Sequence, residues 1–188
     1  MNSLIENKDV ILVGPAGYLE QRNDIDGYDV VVRLNKSKPR PGYGSRTDIL
    51  YCFITSLDHE YYQRGENFKN IKWVVITHGI NKWVKRFKSN LPPGVNVRDY
   101  NERFYLSVWR ECQSKPNTGT VAIGDLLRYP LKTLTVTGVD MFASGHYKGY
   151  VSYGQGEHKY DAQIPYLKRL TTDKRLLLDN KLKERLGM

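Results

Sequence analysis

Two of the four histidines, His146 and His158, lie in or beside one glycine- and tyrosine-rich segment, Ser144–Tyr160. Imidazole titrates near neutral pH, so it can take a proton from an attacking hydroxyl or give one to a phosphate leaving group. Loops on a rigid scaffold commonly carry such groups, although surface histidines without a role are also common. The pair indicates proton-transfer or phosphate chemistry, and we assign no role to His59 or His78.

Two further segments have the composition of anion-binding turns. Gly14-Pro15-Ala16-Gly17 follows an apolar run, and glycine lets backbone N–H groups approach a phosphate closely. Lys115–Thr120 (KPNTGT) precedes an apolar helix, whose free N–H groups can bind an anion. Each segment has a structural alternative. The first lacks the G-x-G-x-x-G pattern and a P-loop lysine, and the second can be a helix cap made by Asn117 or Thr118.

Asp24-Ile25-Asp26 has the D-x-D form with which many nucleotide-sugar transferases hold a divalent metal. It precedes a predicted strand instead of following one, and its aspartates are well placed to turn the chain into that strand. We therefore interpret the segment as structural and expect no metal site. The sequence leaves open whether Arg33 and Arg46 stabilise an anion or pair with nearby carboxylates.

The chain has 188 residues and a formal charge of +9, which suits an anionic ligand such as a nucleotide, an acidic glycan, a nucleic acid or an anionic membrane surface. No run approaches the roughly 18 apolar residues of a membrane span, and the opening residues lack the pattern of a signal peptide. The two cysteines fit no metal spacing and are too few for a disulfide framework. We expect one soluble domain over residues 1–188, without a transmembrane segment, in the cytoplasm.

A basic segment, Asn81–Lys88 (NKWVKRFK), places Trp83 and Phe87 one helical turn apart among four cations. Such a helix could stack nucleic-acid bases or make peripheral contact with a membrane surface. The simpler alternative is a solvated helix whose two aromatic residues face the core. The sequence alone leaves these three interpretations open.

The elements that must position these residues follow from short runs rich in Val, Ile, Thr and aromatic residues. The predicted strands are Val10–Val13, Asp29–Leu34, Asp48–Phe53, Trp73–Thr77 and Thr133–Thr137. Helical character is predicted for Glu102–Cys112, Gly119–Arg128 and Asn180–Leu186. Several strands are apolar throughout, as strands covered on both faces are. The alternation indicates a three-layer α/β fold with a mostly parallel sheet, whose ligands lie outside the carboxyl ends of the strands.

Taken in order, these segments resemble the sialyltransferases of glycosyltransferase family 29, especially its short bacterial and phage-type members. Val10–Asn35 with Gly42–Thr47 (GYGSRT) is similar to the large sialylmotif, and Pro116–Asp140 is similar to the small sialylmotif. His146-Tyr147 resembles the third motif, and His158 resembles the histidine of the very small motif. The likeness extends over most of the chain and keeps the order of the four motifs.

The resemblance implies a GT-A-like, Rossmann-related fold. It also implies an inverting, metal-independent transferase that moves sialic acid or a related acidic sugar from a CMP-activated donor to a glycan or other hydroxyl acceptor. No cofactor is implied besides this donor substrate. The resemblance implies His158 as the catalytic base and His146 as a contact of the donor phosphate. The donor-binding residues that it implies are Gly14, Pro15, Ala16, Asn35, Asn117, Thr118, Gly119 and Tyr147.

Two positions depart from the family's pattern. Pro15 stands where the usual V-G-N turn has its asparagine, and Gln163 stands where the very small motif has a glutamate. Two alternatives to the implied activity therefore stay open. One is a transferase whose acceptor is nucleic acid, which the basic segment motivates, and the other is a non-catalytic nucleotide-binding relative, which the two departures motivate.

Overall fold

The computed structural model describes residues 1–18, 22–54, 70–79, 81–99, 101–148 and 158–188. Within these ranges, seven strands form one parallel sheet in the order β5-β4-β3-β2-β1-β6-β7. The strands are β1 (Asp9–Val13), β2 (Val30–Leu34), β3 (Ile49–Ile54), β4 (Trp73–Gly79), β5 (Asn96–Arg98), β6 (Thr133–Thr137) and β7 (Leu176–Leu178).

The five predicted strands are confirmed, and their ends differ from the prediction by at most two residues. The two edge strands, β5 and β7, were not predicted. Each has only three residues, so neither contains enough chain to display an alternating or continuous apolar pattern.

The helices are α1 (Asn2–Ile5), α2 (Asn81–Ser89), α3 (Glu102–Cys112), α4 (Thr118–Leu126), α5 (Ile164–Leu170) and α6 (Asn180–Leu186). The predictions of α3 and α6 are confirmed to the residue, and α4 begins one residue and ends two residues before its predicted limits. The short helix α5 was not predicted. Its proline lies in the first turn, where the backbone N–H groups have no intrahelical acceptor, so the missing N–H of proline costs no hydrogen bond.

Both faces of the sheet are covered. In β1, Val10 and Leu12 belong to the larger core, which α3, α4, α5 and α6 close, while Ile11 and Val13 are buried on the opposite face. On that opposite face, α2 covers β3 and β4 through Phe87. The predicted three-layer α/β fold with a parallel central sheet is therefore confirmed. Among the described residues, no helix combines the length and the apolar character needed to cross a bilayer.

The strand order defines one special position in the sheet. The chain builds β1 to β5 outward in one direction and then returns to place β6 on the other side of β1. Loops that leave the carboxyl ends of β1 and β6 therefore diverge to opposite sides, and in open α/β sheets the crevice at such a reversal is where ligands bind. The residues at this reversal form the candidate site.

Candidate functional site

The loops that follow β1 and β6 are in direct backbone contact at their first residues, Gly14 and Gly138. A Cβ on Gly14 would lie 2.2 Å from the carbonyl oxygen of Gly138, and a Cβ on Gly138 would lie 2.6 Å from that of Gly14. Gly138 also has a φ of +68°, which glycine adopts without steric penalty. Two glycines are required here because the backbones approach more closely than any side chain permits.

The amides of the predicted anion-binding turn are used within the fold. The N–H groups of Gly14, Ala16 and Gly17 donate at 2.8–2.9 Å to carbonyl oxygens of β6 and of the loop after it. Pro15 has no N–H, and its carbonyl oxygen accepts from Tyr147 N at 3.0 Å. These contacts favour the structural interpretation of the turn, because these amides are not open to a phosphate.

His146 is placed by the same contact between the two loops. It forms an antiparallel β-bridge with Ala16, and its half-buried ring meets the Phe142 ring edge-on, with centroids 4.7 Å apart. Burial lowers the pKa of His146, against the opposing charge of Asp140. The imidazole is thus held at the carboxyl end of β6, beside the crevice.

His158 is held by a hydrogen bond that determines its tautomer. Its Nδ1 lies 2.9 Å from the carbonyl oxygen of Lys115, in the loop between α3 and α4. A carbonyl oxygen can only accept, so Nδ1 carries the proton and Nε2 carries the lone pair. Burial lowers the pKa of His158, the hydrogen bond to the Lys115 carbonyl opposes this, and the Lys115 charge lowers it further. The side chain is therefore a neutral imidazole with a basic Nε2 at neutral pH.

Two aromatic rings connect the predicted histidines. Phe142 stacks on Tyr160 with centroids 4.6 Å apart, and Tyr160 lies 5.8 Å from the His158 ring. Phe142 and its neighbour Met141 have φ values of +65° and +53°, an uncommon conformation for residues with a Cβ. This turn directs Phe142 between His146 and Tyr160, so a continuous series of ring contacts joins His146 to His158 in one cluster.

Asn35 lies directly after β2 and links three elements. Its φ is +47°, and its side-chain oxygen accepts from Phe53 N at 3.1 Å and from the Thr118 hydroxyl at 3.4 Å. Two predicted donor-binding residues, Asn35 and Thr118, are therefore in contact at the carboxyl edge of the sheet.

Helix α4 begins at this contact. Asn117 is its N-cap and accepts from Thr120 N at 2.8 Å, which confirms Asn117 as the cap among the two candidates. Within the described ranges, the N–H groups of Thr118 and Gly119 have no acceptor. They form the positive end of a helix dipole beside Asn35, so this end of α4 can take an anion.

Gln163 connects the two halves of the site. Its side chain is fully buried, and its Oε1 accepts from Asn117 N at 3.0 Å, so the segment after His158 is tied to the start of α4. Its Nε2 is buried and has no partner among the described residues. The sequence identified Gln163 only as a departure from a family pattern, because a contact between residues 46 positions apart leaves no signature in spacing.

Arg33 is a structural residue. It is 1% exposed, and its guanidinium donates to the carbonyl oxygens of Tyr43, Gly44 and Arg46, the first at 2.5 Å. Burial lowers the pKa of Arg33 to about 10. Arg46 pairs with the carboxylate of Asp48 at 3.1 Å. Both arginines fix the loop after β2, and only Arg46 pairs with a carboxylate as the sequence allowed.

The carboxylates of the D-x-D segment are also used within the chain. Asp24 accepts from Arg22 Nε at 2.8 Å, and Asp26 accepts from Ser45 N at 2.8 and 2.9 Å. Asp24 precedes the 3₁₀ turn Ile25–Gly27, which contains Asp26 and leads into β2. These contacts agree with the structural interpretation of the segment.

The aromatic residues of α2 face the core. Phe87 is 2% exposed, and Trp83 packs partly buried against the same cluster beside β3 and β4. The simpler of the three interpretations, a solvated helix with core-facing aromatics, therefore describes this segment. The cations remain on its surface, but the two rings do not form a platform for nucleic-acid bases.

Sequence reasoning missed the groups that hold the two histidines. The Lys115 carbonyl could not be found because a backbone oxygen is independent of residue type, and Phe142 and Tyr160 belong to no motif. His78, without a predicted role, lies at the end of β4 between the rings of Phe53 and Tyr105. His59, Tyr150 and Tyr153 lie outside the described residues.

Several solved structures with a similar fold are sialyltransferases. CstII from Campylobacter jejuni, in complex with the substrate analogue CMP-3FNeuAc, aligns over 95% of this chain and 85% of its own, with a TM-score of 0.63 and 16% identity. An α-2,3-sialyltransferase from C. jejuni in apo form aligns over 98% and 82%, with a TM-score of 0.64 and 16% identity. A mammalian sialyltransferase in complex with Gal-beta-1-3GalNAc-ortho-nitrophenol aligns over 90% and 68%, with a TM-score of 0.56 and 16% identity.

No protein-family model and no curated protein matches this chain. The likeness to the solved structures is thus one of fold at low sequence identity. It shows that the chain has the sialyltransferase-like α/β fold.

Proposed function

We propose that this protein is an inverting, metal-independent glycosyltransferase that moves sialic acid or a related acidic sugar from a CMP-activated donor to an acceptor hydroxyl. The observation that carries the proposal is His158, whose Nδ1–H is held by the Lys115 carbonyl so that Nε2 is a base. This base belongs to a cluster that Gln163 ties to the open N-terminus of α4. One protein of this fold, CstII, is named in two complexes, one with the substrate analogue CMP-3FNeuAc and one with cytidine-5'-monophosphate.

The donor would lie across the carboxyl edge of the sheet. Asn35 and the Thr118 hydroxyl already meet there and offer polar groups to a nucleotide, and the N–H groups of Thr118 and Gly119 point out of α4. An anion at this position is stabilised by the helix dipole as well as by the hydrogen bonds. The donor would meet Pro15, Tyr147 and their neighbours through van der Waals contacts, since the backbone hydrogen bonds of these residues are made within the fold.

The chemical step is a single displacement. His158 Nε2 takes the proton of the acceptor hydroxyl while the hydroxyl oxygen forms a bond to the anomeric carbon. The bond between that carbon and the phosphate oxygen breaks on the opposite face, and CMP leaves with the electron pair. Negative charge that develops on the phosphate is stabilised by the N-terminus of α4 and by His146.

Metal independence is supported by the contacts of the only D-x-D segment in the sequence. Asp24 and Asp26 are engaged by Arg22 and by Ser45 N, which leaves neither carboxylate positioned as an open metal ligand. A nucleic-acid acceptor has no corresponding support, because Trp83 and Phe87 pack against the core. The cytoplasmic location stays a prediction of the sequence.

The proposal is tested by incubating the protein with CMP-N-acetylneuraminate and lactose in EDTA and following the products by ¹H NMR. We expect transfer or slow donor hydrolysis with inversion at the anomeric carbon, at a rate that EDTA leaves unchanged. Retained configuration, or activity that requires an added metal, would contradict the proposed mechanism. CMP binding without any donor cleavage would support the non-catalytic alternative instead.

A further inference from the structure

A second feature of the surface is connected to the proposed donor site through Tyr147. A pocket of about 430 Å³, open to solvent, lies between the segment before β2 and the loop after it. Its charged lining residues are Arg22, Asp26 and Arg40. This volume is in the range of pockets that hold small ligands, which starts at roughly 300 Å³.

Arg40 is the unusual member of this lining. Its guanidinium carbon lies over two tyrosine rings, 3.5 Å from the centroid of Tyr43 and 3.9 Å from that of Tyr147. A guanidinium that stacks on aromatic rings keeps its N–H edge available for in-plane hydrogen bonds. Tyr147 is itself held, because its hydroxyl accepts from Lys38 N at 3.4 Å and its N–H donates to Pro15. The arginine is therefore fixed in orientation before any ligand arrives.

No carboxylate in the described part of the chain lies within ion-pair distance of Arg40, and no protein acceptor there meets its guanidinium. The neighbouring charges are already engaged: Arg22 pairs with Asp24, and Asp26 accepts from Ser45 N. Arg33 lies buried behind Gly44 and donates to carbonyl oxygens alone, although the charge of the Asp26 carboxylate also acts on it. Three arginines (Arg22, Arg33 and Arg40) and two aspartates (Asp24 and Asp26) leave a net charge of +1 around the pocket, and the Arg40 guanidinium has N–H groups available for an anion.

The location of the pocket relates it to the proposed reaction. Arg40 follows Asn35 by five residues, and Tyr147 directly follows His146, so the contact between Arg40 and Tyr147 joins the two loops that bear these site residues. We propose that Arg40 binds the carboxylate or phosphate group of an anionic acceptor saccharide in this pocket. This inference rests on the proposed function, since it assigns the pocket to the acceptor of that transferase.

The test uses three sugars that differ only at C6: galactose, galacturonate and galactose 6-phosphate. Each is titrated into the full-length ¹⁵N-labelled protein without nucleotide, and binding is followed by amide chemical shifts. We expect at least one anionic sugar to bind about tenfold or more tightly than galactose, as a charge-assisted hydrogen bond to guanidinium predicts. Comparison of galacturonate with galactose 6-phosphate distinguishes a carboxylate ligand from a phosphate ligand.

Arg40→Gln should remove this preference, so that the three sugars bind alike. The matched control is Arg86→Gln, which removes an exposed arginine of α2 and should leave the preference intact. If Arg40→Gln does not fold, Arg40→Lys serves in its place, because it retains the charge but not the planar fork and should reduce the preference. If Arg40 only held Tyr147 in position, Arg40→Gln would change the affinity for all three sugars by the same factor.

Equal binding of the three sugars by the wild-type protein, or a preference that survives in Arg40→Gln, would overturn the inference. A CMP titration of the same sample tests the proposed function separately. Anionic-sugar binding without CMP binding would refute the transferase and with it the assignment of the pocket to an acceptor. CMP binding without anionic-sugar preference would refute the assignment of the pocket alone.

Discussion

At the scale of single residues, the proposed catalysis depends on how His158 is held. A histidine acts as a base only when one ring nitrogen is unprotonated and accessible. Here the hydrogen bond to the Lys115 carbonyl oxygen keeps the proton on Nδ1. The residue type and its motif could be found in the sequence. The tautomer could not, because it is determined by a backbone oxygen 43 positions away.

The first prediction concerns the removal of this base. His158→Ala should lower kcat/KM for transfer by about a hundredfold or more, the usual contribution of a general base. CMP affinity should change little, because the donor contacts lie on Asn35 and α4. Steady-state kinetics and a CMP titration of the same sample measure the two effects. Near-wild-type turnover by the variant would refute the assignment of the base.

The second prediction concerns pH. Burial and the Lys115 charge lower the pKa of His158 below its usual 6.5, so the base form is populated above that pKa and is lost as the pH falls through it. The acid limb of the pH profile of kcat/KM should therefore have its midpoint below 6.5. Lys115→Ala keeps the carbonyl but removes the charge, so it should move the acid limb to higher pH. An acid limb centred above pH 6.5, or one that Lys115→Ala does not move, would contradict this prediction.

At the scale of elements, the start of α4 combines a structural and a functional role. Asn117→Ala removes the N-cap of α4 and should reduce the free energy of unfolding by about 1 kcal/mol. It should also weaken CMP binding, because Thr118 and Gly119 are positioned by the same turn. Urea unfolding and a CMP titration measure the two effects.

Asn101→Ala is the matched control for this prediction, because Asn101 caps α3 in the same way and accepts from Phe104 N at 3.1 Å. The control should lose similar stability and keep its CMP affinity. Equal losses of CMP affinity in the two variants would show that the effect is general destabilisation and not a property of α4.

The contact between the β1 and β6 loops gives a second prediction at this scale. Gly14→Ala places a Cβ 2.2 Å from the Gly138 carbonyl oxygen, so the loops must separate. We expect a loss of about 1–3 kcal/mol in the free energy of unfolding, as overpacking of a dense interior produces. Gly27→Ala is the control, because its Cβ would meet no atom within 4 Å. Similar stability of the two variants in urea would contradict the close approach.

At the scale of the whole molecule, the parts of the fold that the sequence predicted are those with strong local patterns. Buried strands such as Asp9–Val13 contain continuous apolar runs, and the 3.6-residue periodicity of Glu102–Cys112 is complete within one element. The missed contacts are long-range: Gln163 to Asn117, and Arg40 to Tyr147. Such pairs depend on the tertiary arrangement of the sheet and its loops, which no local pattern encodes.

We propose a CMP-selective nucleotide site at the carboxyl edge of the sheet. Thermal unfolding with CMP, CDP, UDP, GDP and AMP, each with and without EDTA, measures this selectivity. A ligand that binds only the native state adds about 2.7 kcal/mol at 100 times its dissociation constant, enough for a clear rise in Tm. We expect a rise in Tm with CMP that exceeds the rise with each other nucleotide and is unchanged by EDTA. A rise with UDP or GDP that requires a divalent metal would contradict it and would return Asp24 and Asp26 to consideration as metal ligands.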